Sequence, residues 1–378
     1  MPENATTPSH FKEKLHYETG AVRYAHEFKR RLRICAIGAG RHPYFNTLPV
    51  LRFCPVDLLA IADLNPVRAE AAARDFGARH HYTDYKEMLA KEKPEAVFIV
   101  TSYDKEGRNY GYQIALDALA AGCHVWMEKP TGHSEAEVRN VMEAAKRANR
   151  TVMTGLKKMF TPGVLRVRDI VKLPEFGGAT SIYMRYPQPI AAFSERADLR
   201  AVYGLLDHIW HPMAVVTSIM GELASFSYQW EPQAQASMFL MRFKTGSIGT
   251  LHLAAGVSGS SPMEHLEVIG NGANVVLNNG VNLTYYRPSE RVDYGGPTYL
   301  VPNETAPLSW SPEFSHGALH NNGNFLLGYY NEISHFCEQV LAGKPVTGGT
   351  LDQVLEIIRM FDAIRTHDVG EVISMSSR

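Results

Sequence analysis

The chain has 378 residues, of which 45% are apolar and 20% are charged, and this length suits two domains better than one. The formal net charge of -1 argues against a broad nucleic-acid interface, which needs an excess of basic residues. No apolar run is long enough to span a bilayer, and the polar N-terminus lacks the apolar core of a secretory signal. The four cysteines are scattered and have no metal-ligand spacing, so we expect free thiols, no metal site and a cytoplasmic location.

Residues 1–31 form a polar leader, which is either disordered or an arm that docks on a neighbouring subunit. After it, short apolar runs alternate with helical stretches. The predicted strands are 33–38, 58–63, 96–101, 123–128 and 151–155, and the predicted helices are 67–76, 110–121 and 134–147. Strands that alternate with helices predict a parallel, doubly wound α/β sheet. We therefore assign residues 32–157 to a dinucleotide-binding domain of the Rossmann type.

The pattern changes after about residue 160, where strand-like runs follow one another without intervening helices. These runs are 180–186, 237–243, 247–253, 265–269 and 274–277, and Asn278-Asn279-Gly280 marks a tight turn. Two amphipathic helices, 325–341 and 351–364, close the chain. Residues 158–378 are therefore predicted to form an α+β domain with a large, mostly antiparallel sheet.

A glycine motif directly follows the first predicted strand. Gly38 and Gly40 match the first two glycines of the G-x-G-x-x-G fingerprint, whereas Pro43 occupies the third position. Asp63 ends the second strand, where a carboxylate accepts hydrogen bonds from the ribose hydroxyls and repels a 2′-phosphate. No arginine follows Asp63 immediately, so the pattern favours NAD over NADP. The alternative is a plain glycine turn with an aspartate that caps the next helix.

Two clusters further along the chain have the residue types that hydride transfer requires. Glu128-Lys129-Pro130 closes the fourth strand, and a lysine there can stabilise a developing alkoxide. In the second cluster, Asp207 lies one helical turn before His211, and a histidine beside a carboxylate is a suitable general base with a raised pKa. The alternatives are a surface lysine, a structural Asp–His pair, and a His/Asp metal site that includes His208.

These motifs resemble those of the Gfo/Idh/MocA family, the glucose–fructose oxidoreductase and inositol dehydrogenase group. The segments ICAIGAG, LLAIAD and ALDALAAGCHVWMEKP, together with the D-x-x-x-H of Asp207 and His211, carry the resemblance. It implies two domains, NAD(P) at the first and oligomerisation through the open face of the second-domain sheet. It also implies that Lys129 and His211 flank the nicotinamide. Pro43, Ala214 and the absence of a histidine at 109–112 depart from the family pattern.

The sequence therefore predicts an NAD-dependent oxidoreductase that acts on a secondary alcohol of a sugar, glycoside or inositol-type polyol, and that forms a homodimer or homotetramer. The assigned catalytic residues are Lys129, His211 and Asp207. The assigned cofactor-binding residues are Gly38, Gly40, Arg41, Asp63, Thr101, Glu128 and Lys129. The assigned substrate-binding residues are Lys157, Tyr186 and Asp207. Two alternatives stay open, a redox-neutral glycoside-modifying enzyme that retains NAD and a non-catalytic NAD-binding regulatory protein.

Overall fold

The computed structural model describes residues 22–288, 307–312 and 319–375, with side chains for all of them except 319–322. The predicted leader falls mostly on residues 1–21, which lie outside the described ones. Residues Ala25–Glu27 form a short 3-10 turn. Within the described residues, no helix is both long and apolar enough to cross a membrane.

The first sheet has six parallel strands in the order β3-β2-β1-β4-β5-β6. Its strands are β1 (Leu32–Ile37), β2 (Val56–Ala62), β3 (His80–Tyr82), β4 (Ala96–Ile99), β5 (His124–Glu128) and β6 (Val152–Gly155). Its helices are α1 (Pro66–Phe76), α2 (Tyr85–Glu92), α3 (Gly111–Ala120) and α4 (Glu135–Ala148). The predicted doubly wound sheet is confirmed, and β3 and α2 are additions to the prediction.

Successive residues of these strands point to opposite faces, and each face is buried. On one face Cys35, Val97 and Val125 pack with α2, α3 and α4. On the other face Phe98 lies edge-on against Phe336, 5.6 Å between ring centroids. Cys35 and Cys123 are buried free thiols, as the sequence predicts.

The second sheet contains β7 (Ser181–Tyr186), β8 (Leu223–Trp230), β9 (Ser237–Phe243), β10 (Ile248–Leu253), β11 (His265–Ile269), β12 (Asn274–Asn278), β13 (Asn282–Tyr286), β14 (Leu308–Trp310) and β15 (Ile373–Ser374). In the part of the chain that the structure describes, these nine strands have the order β14-β13-β12-β11-β7-β10-β9-β8-β15, and only the β7–β10 pair is parallel. The remaining helices are α5 (Pro162–Val171), α6 (Leu199–His208), α7 (Trp210–Met220), α8 (Leu319–Leu326), α9 (Tyr329–Ala342) and α10 (Leu351–Thr366). The mostly antiparallel sheet is confirmed.

Two local predictions have different outcomes. The tight turn after β12 is confirmed, because Asn279 and Gly280 both have positive φ and the amide of Val281 donates to the carbonyl of Asn278. The single helix predicted over 325–341 is wrong. The chain forms α8 and α9 instead, and Gly328, at φ +90°, separates them.

Candidate functional site

A cavity of about 640 Å³ opens at the carboxyl ends of β1, β2 and β4. The strand order reverses between β1 and β4, which is where open α/β sheets bind their ligands. Five of the predicted cofactor-binding residues line this cavity, namely Gly38, Gly40, Arg41, Asp63 and Thr101. The sequence reasoning missed other lining residues, including His42, Arg68 and Ser102.

The two glycines of the motif have different structural roles. Gly38 has φ +104°, its amide donates to the carbonyl of Ala62, and a Cβ added to it would lie 1.9 Å from the carbonyl oxygen of Val100. A Cβ added to Gly40 would have no protein atom within 4 Å. Gly38 therefore makes the turn, and Gly40 leaves open space at the position where a pyrophosphate approaches the backbone.

The segment after Gly40 starts irregularly. Pro43–Thr47 forms a single π-helical turn, and Leu48–Phe53 continues as a 3-10 segment with Pro49 in its first turn. Proline is tolerated there because the first amides of a helix have no partner within it. The departure at Pro43 therefore still leaves a helical N-terminus beside the cavity.

The carboxylate of Asp63 is held at the end of β2 by backbone amides. Oδ2 accepts from the amide of Ala39 at 2.8 Å, and Oδ1 accepts from the amide of Asn65 at 2.9 Å. Each carboxylate oxygen can still accept a further hydrogen bond. The position, charge and free acceptor capacity of Asp63 thus fit the adenosine ribose of NAD.

Lys129 follows β5 and makes a cross-domain ion pair with Asp207 of α6. Its Nζ lies 2.7 Å from Oδ1 of Asp207, and the lysine side chain is only 11% exposed. The same oxygen accepts a hydrogen bond from the hydroxyl of Tyr103 at 2.8 Å. Burial raises the pKa of Asp207, but the charge and hydrogen bond of Lys129 outweigh it and leave the pKa below its ordinary value. Asp207 is therefore ionised and bound to the lysine.

His211 lies in the first turn of α7 and is 9% exposed. Ile209 separates α6 from α7 but keeps helical dihedral angles, so the predicted helical setting of Asp207 and His211 is confirmed. The expectation that Asp207 raises the pKa of His211 is wrong. Burial, followed by the charges of Lys129, Lys157 and Lys158, lowers that pKa well below 6.5. His211 is thus a neutral imidazole, and its Nδ1 has no hydrogen-bond partner among the described residues.

Lys157 and Tyr186 both lie near His211. The Tyr186 ring centroid is 6.1 Å from that of His211. The Nζ of Lys157 donates to the hydroxyl of Tyr329 at 2.6 Å, and burial lowers the pKa of Lys157 to about 8. The neighbouring Lys158 pairs with Glu264. The structure thus brings two of the predicted substrate-binding residues towards the predicted base.

Glu128, the residue before Lys129, connects this cluster to the cofactor loop. Its Oε1 lies 3.1 Å from Nε2 of His42, a residue that lines the cavity. Burial opposes ionisation of Glu128, but His42 and the nearby lysines lower its pKa. Glu128 therefore contacts the cofactor side of the site through His42.

Sequence reasoning missed a second buried carboxyl group near Lys157. Glu332 of α9 is fully buried, and burial and the charge of Glu128 raise its pKa well above 4.5. The sequence held no signal for it, because it is one of many polar residues on an amphipathic helix. Among the described residues, no cluster of three or more histidines, cysteines or acids is arranged to hold a metal ion.

Comparisons with known proteins agree with this architecture. Residues 32–156 match the family GFO_IDH_MocA, described as an oxidoreductase family with an NAD-binding Rossmann fold. Inositol 2-dehydrogenase of Salmonella paratyphi B is 26% identical over 155 residues, which are 40% of this chain and 44% of that protein. Myo-inositol 2-dehydrogenase of Thermotoga maritima is 23% identical over 280 residues, 70% of this chain and 80% of that protein.

Solved structures share the whole fold. A dehydrogenase from Chromobacterium violaceum superposes with a TM-score of 0.72 over 90% of this chain and 96% of its own, at 19% identity. At this identity the likeness establishes the fold alone. The family match falls on the domain that contains Gly38, Gly40 and Asp63. Residues 32–156 are thus similar to the NAD-binding Rossmann domain of the Gfo/Idh/MocA oxidoreductase family.

Proposed function

We propose that this protein is an NAD-dependent dehydrogenase that oxidises a secondary alcohol of a sugar, glycoside or inositol-type polyol, or catalyses the reverse reduction. One observation carries the proposal. Nζ of Lys129, at the end of β5, lies 2.7 Å from Oδ1 of Asp207, which precedes the buried His211 by one helical turn. From this contact we infer that the cation of Lys129 and the neutral imidazole of His211 both act on a substrate bound beside NAD. The names of the inositol dehydrogenases above support the substrate class.

The proposed reaction assigns a separate task to each side chain. NAD, held along Gly38, Gly40, Arg41, Asp63 and Thr101, supplies the hydride acceptor. His211 takes the proton of the hydroxyl on the carbon that is oxidised, and its neutral form is the one that can accept a proton. Lys129, fixed by Asp207, stabilises the charge that develops on the oxygen.

Substrate binding is assigned to Lys157, Tyr186 and Asp207. The ammonium of Lys157 and the hydroxyl of Tyr186 are hydrogen-bond donors, whereas the ionised Asp207 is an acceptor. A polyol offers both kinds of group on neighbouring carbons. This complement of donors and acceptors therefore fits a hydroxyl-rich ligand.

The test follows NADH absorbance across inositols, aldoses and glycosides for the wild type, His211→Ala and a control, His80→Ala. His80 is an exposed histidine on β3, so its loss should leave turnover unchanged. Loss of the base should lower kcat by about 10²–10⁴-fold. Equal rates in wild type and His211→Ala would exclude His211 from the reaction. Wild-type protein that binds NADH but turns over no polyol would refute the function.

We further propose that a second copy of the chain covers the outer face of the second sheet. Along β9, residues alternate between buried and exposed, so that Met238 and Leu240 are 51% and 60% exposed. Ile248 and Ile269 extend the same exposed face at 46% and 43%. An apolar patch of this kind is typical of an interface between subunits.

A further inference from the structure

The loop between β4 and α3 starts on the cavity wall at Thr101 and carries a tyrosine that the sequence patterns did not single out. Tyr103 pairs with Asn109 in an antiparallel bridge that closes the loop into a short turn. Inside it, Oδ1 of Asp104 accepts from the amides of Glu106 and Arg108 at 2.9 and 2.8 Å. Oγ1 of Thr101 donates to Asn109 at 3.0 Å. The backbone of Tyr103 is therefore fixed relative to the cofactor cavity.

The side chain of Tyr103 reaches from the NAD-binding domain to α6. Its ring lies edge-on against Tyr203, with 5.5 Å between centroids, and its hydroxyl donates to Oδ1 of Asp207 at 2.8 Å. The same oxygen receives Nζ of Lys129. Two donors from the first domain thus converge on one oxygen of a second-domain carboxylate.

The other oxygen of Asp207 has a different environment. Oδ2 has no hydrogen bond among the described residues, and Nδ1 of His208 lies 3.7 Å from it. A carboxylate held by one donor can still rotate about its last side-chain bond, because that torsion has a broad minimum. A second donor on the same oxygen restricts the rotation and keeps Oδ2 available as an acceptor.

We propose that Tyr103 is a positioning residue, which holds Asp207 so that Oδ1 binds Lys129 while Oδ2 accepts a second hydroxyl of the substrate. This role rests on the proposed function and narrows its substrate class to compounds with a hydroxyl next to the one that reacts. Compounds with a single secondary alcohol should bind poorly.

Tyr103 does not itself transfer the proton. Burial, followed by the charge and hydrogen bond of Asp207, raises the pKa of its phenol far above 10, so it stays protonated. The charged or titratable groups around Asp207 are Lys129 from the end of β5, Tyr103 from the loop, Tyr186 from β7 and His208 on its own helix. Loss of the Tyr103 hydroxyl removes one of the interactions that lower the pKa of Asp207.

The test compares Tyr103→Phe with a control, Tyr203→Phe. The control keeps the ring contact between residues 103 and 203 and removes only the hydroxyl of the half-exposed Tyr203. We expect Tyr103→Phe to lower kcat/KM for polyols roughly 10- to 100-fold, the effect of losing a hydrogen bond to a charged group. The acidic limb of the pH profile should move to higher pH. NADH affinity should stay within about twofold, because Tyr103 does not line the cavity. Tyr203→Phe should match the wild type in each measurement.

A readout without turnover separates this proposal from the function. The carboxyl carbon of Asp207 can be titrated by NMR in the chain without substrate, and its signal can be assigned with Asp207→Asn. Tyr103→Phe should raise the pKa of Asp207, and adding it to Asp207→Asn should cause no further loss of activity. An unchanged titration together with unchanged kcat/KM would overturn the role of Tyr103. A wild-type chain that shows the predicted titration but no polyol turnover would refute only the function and the substrate role.

Discussion

The two glycines of the cofactor motif should respond in opposite ways to the same substitution. In Gly38→Ala the new Cβ would lie 1.9 Å from the Val100 oxygen, whereas ordinary contacts begin near 3.4 Å, so the backbone must shift by about 1.5 Å. The positive φ adds about 1–3 kcal/mol of strain and the overpacking about 1–3 kcal/mol. We expect the free energy of unfolding to fall by roughly 2–6 kcal/mol. Gly40→Ala meets no protein atom and should change it by less than about 0.5 kcal/mol.

The affinity for NADH should instead fall in Gly40→Ala, the substitution that leaves stability unchanged. Gly40→Ala should weaken NADH binding at least about 10-fold in a fully folded protein, since its methyl group occupies the space assigned to the pyrophosphate. Denaturant unfolding monitored by tryptophan fluorescence gives the stability, and NADH fluorescence titration gives the affinity. Wild-type stability in Gly38→Ala would refute the packing argument. Wild-type NADH affinity in Gly40→Ala would refute the assignment of this cavity to the pyrophosphate.

Two further predictions concern a buried carboxyl group and the outer sheet face. The folded-state pKa of Glu332 is raised above 4.5, so its stabilisation is complete below that pH and is lost as the pH rises through the folded-state value. Glu332→Gln should therefore gain stability relative to the wild type as the pH rises from 4.5. The control Glu338→Gln, at an exposed position on the same helix, should not. Denaturation midpoints of Glu332→Gln and the wild type that differ by a constant amount from pH 4 to 8 would contradict this. Leu240→Glu should reduce the mass measured by light scattering, whereas Val67→Glu on α1 should leave it unchanged. A wild-type protein that is monomeric at all concentrations would contradict the proposed interface.

The sequence predicts the elements with strong periodicity and misses those without it. The buried strands β1, β2, β4 and β5 are short apolar runs, and their places in a parallel sheet follow from the helices between them. In contrast, β3 has three residues, none of them buried, and α2 has only two buried residues. Neither leaves a pattern that a window of apolar residues can detect.

A glycine in the sequence marks the division between α8 and α9, but the amphipathic pattern around it favours one continuous helix. Gly328 stands inside the amphipathic pattern of the predicted helix, and an isolated glycine is compatible with a helix. The reason for the division is tertiary, because a Cβ at Gly328 would lie 2.2 Å from the carbonyl oxygen of Lys157. The position thus requires glycine for close packing against the segment that carries Lys157.

The partner of Asp207 shows most clearly what spacing along a chain cannot determine. Asp207 is four positions from His211 in the sequence and 78 positions from Lys129, yet the short contact is with the lysine. A mostly buried ammonium needs a carboxylate more than a neutral imidazole does, because a buried charge without a partner is costly. Burial is the main reason that the pKa of His211 is lowered, and the charges of Lys129, Lys157 and Lys158 lower it further. In the proposed reaction, the Lys129–Asp207 pair fixes the cation that stabilises the alkoxide, while the neutral His211 takes the proton.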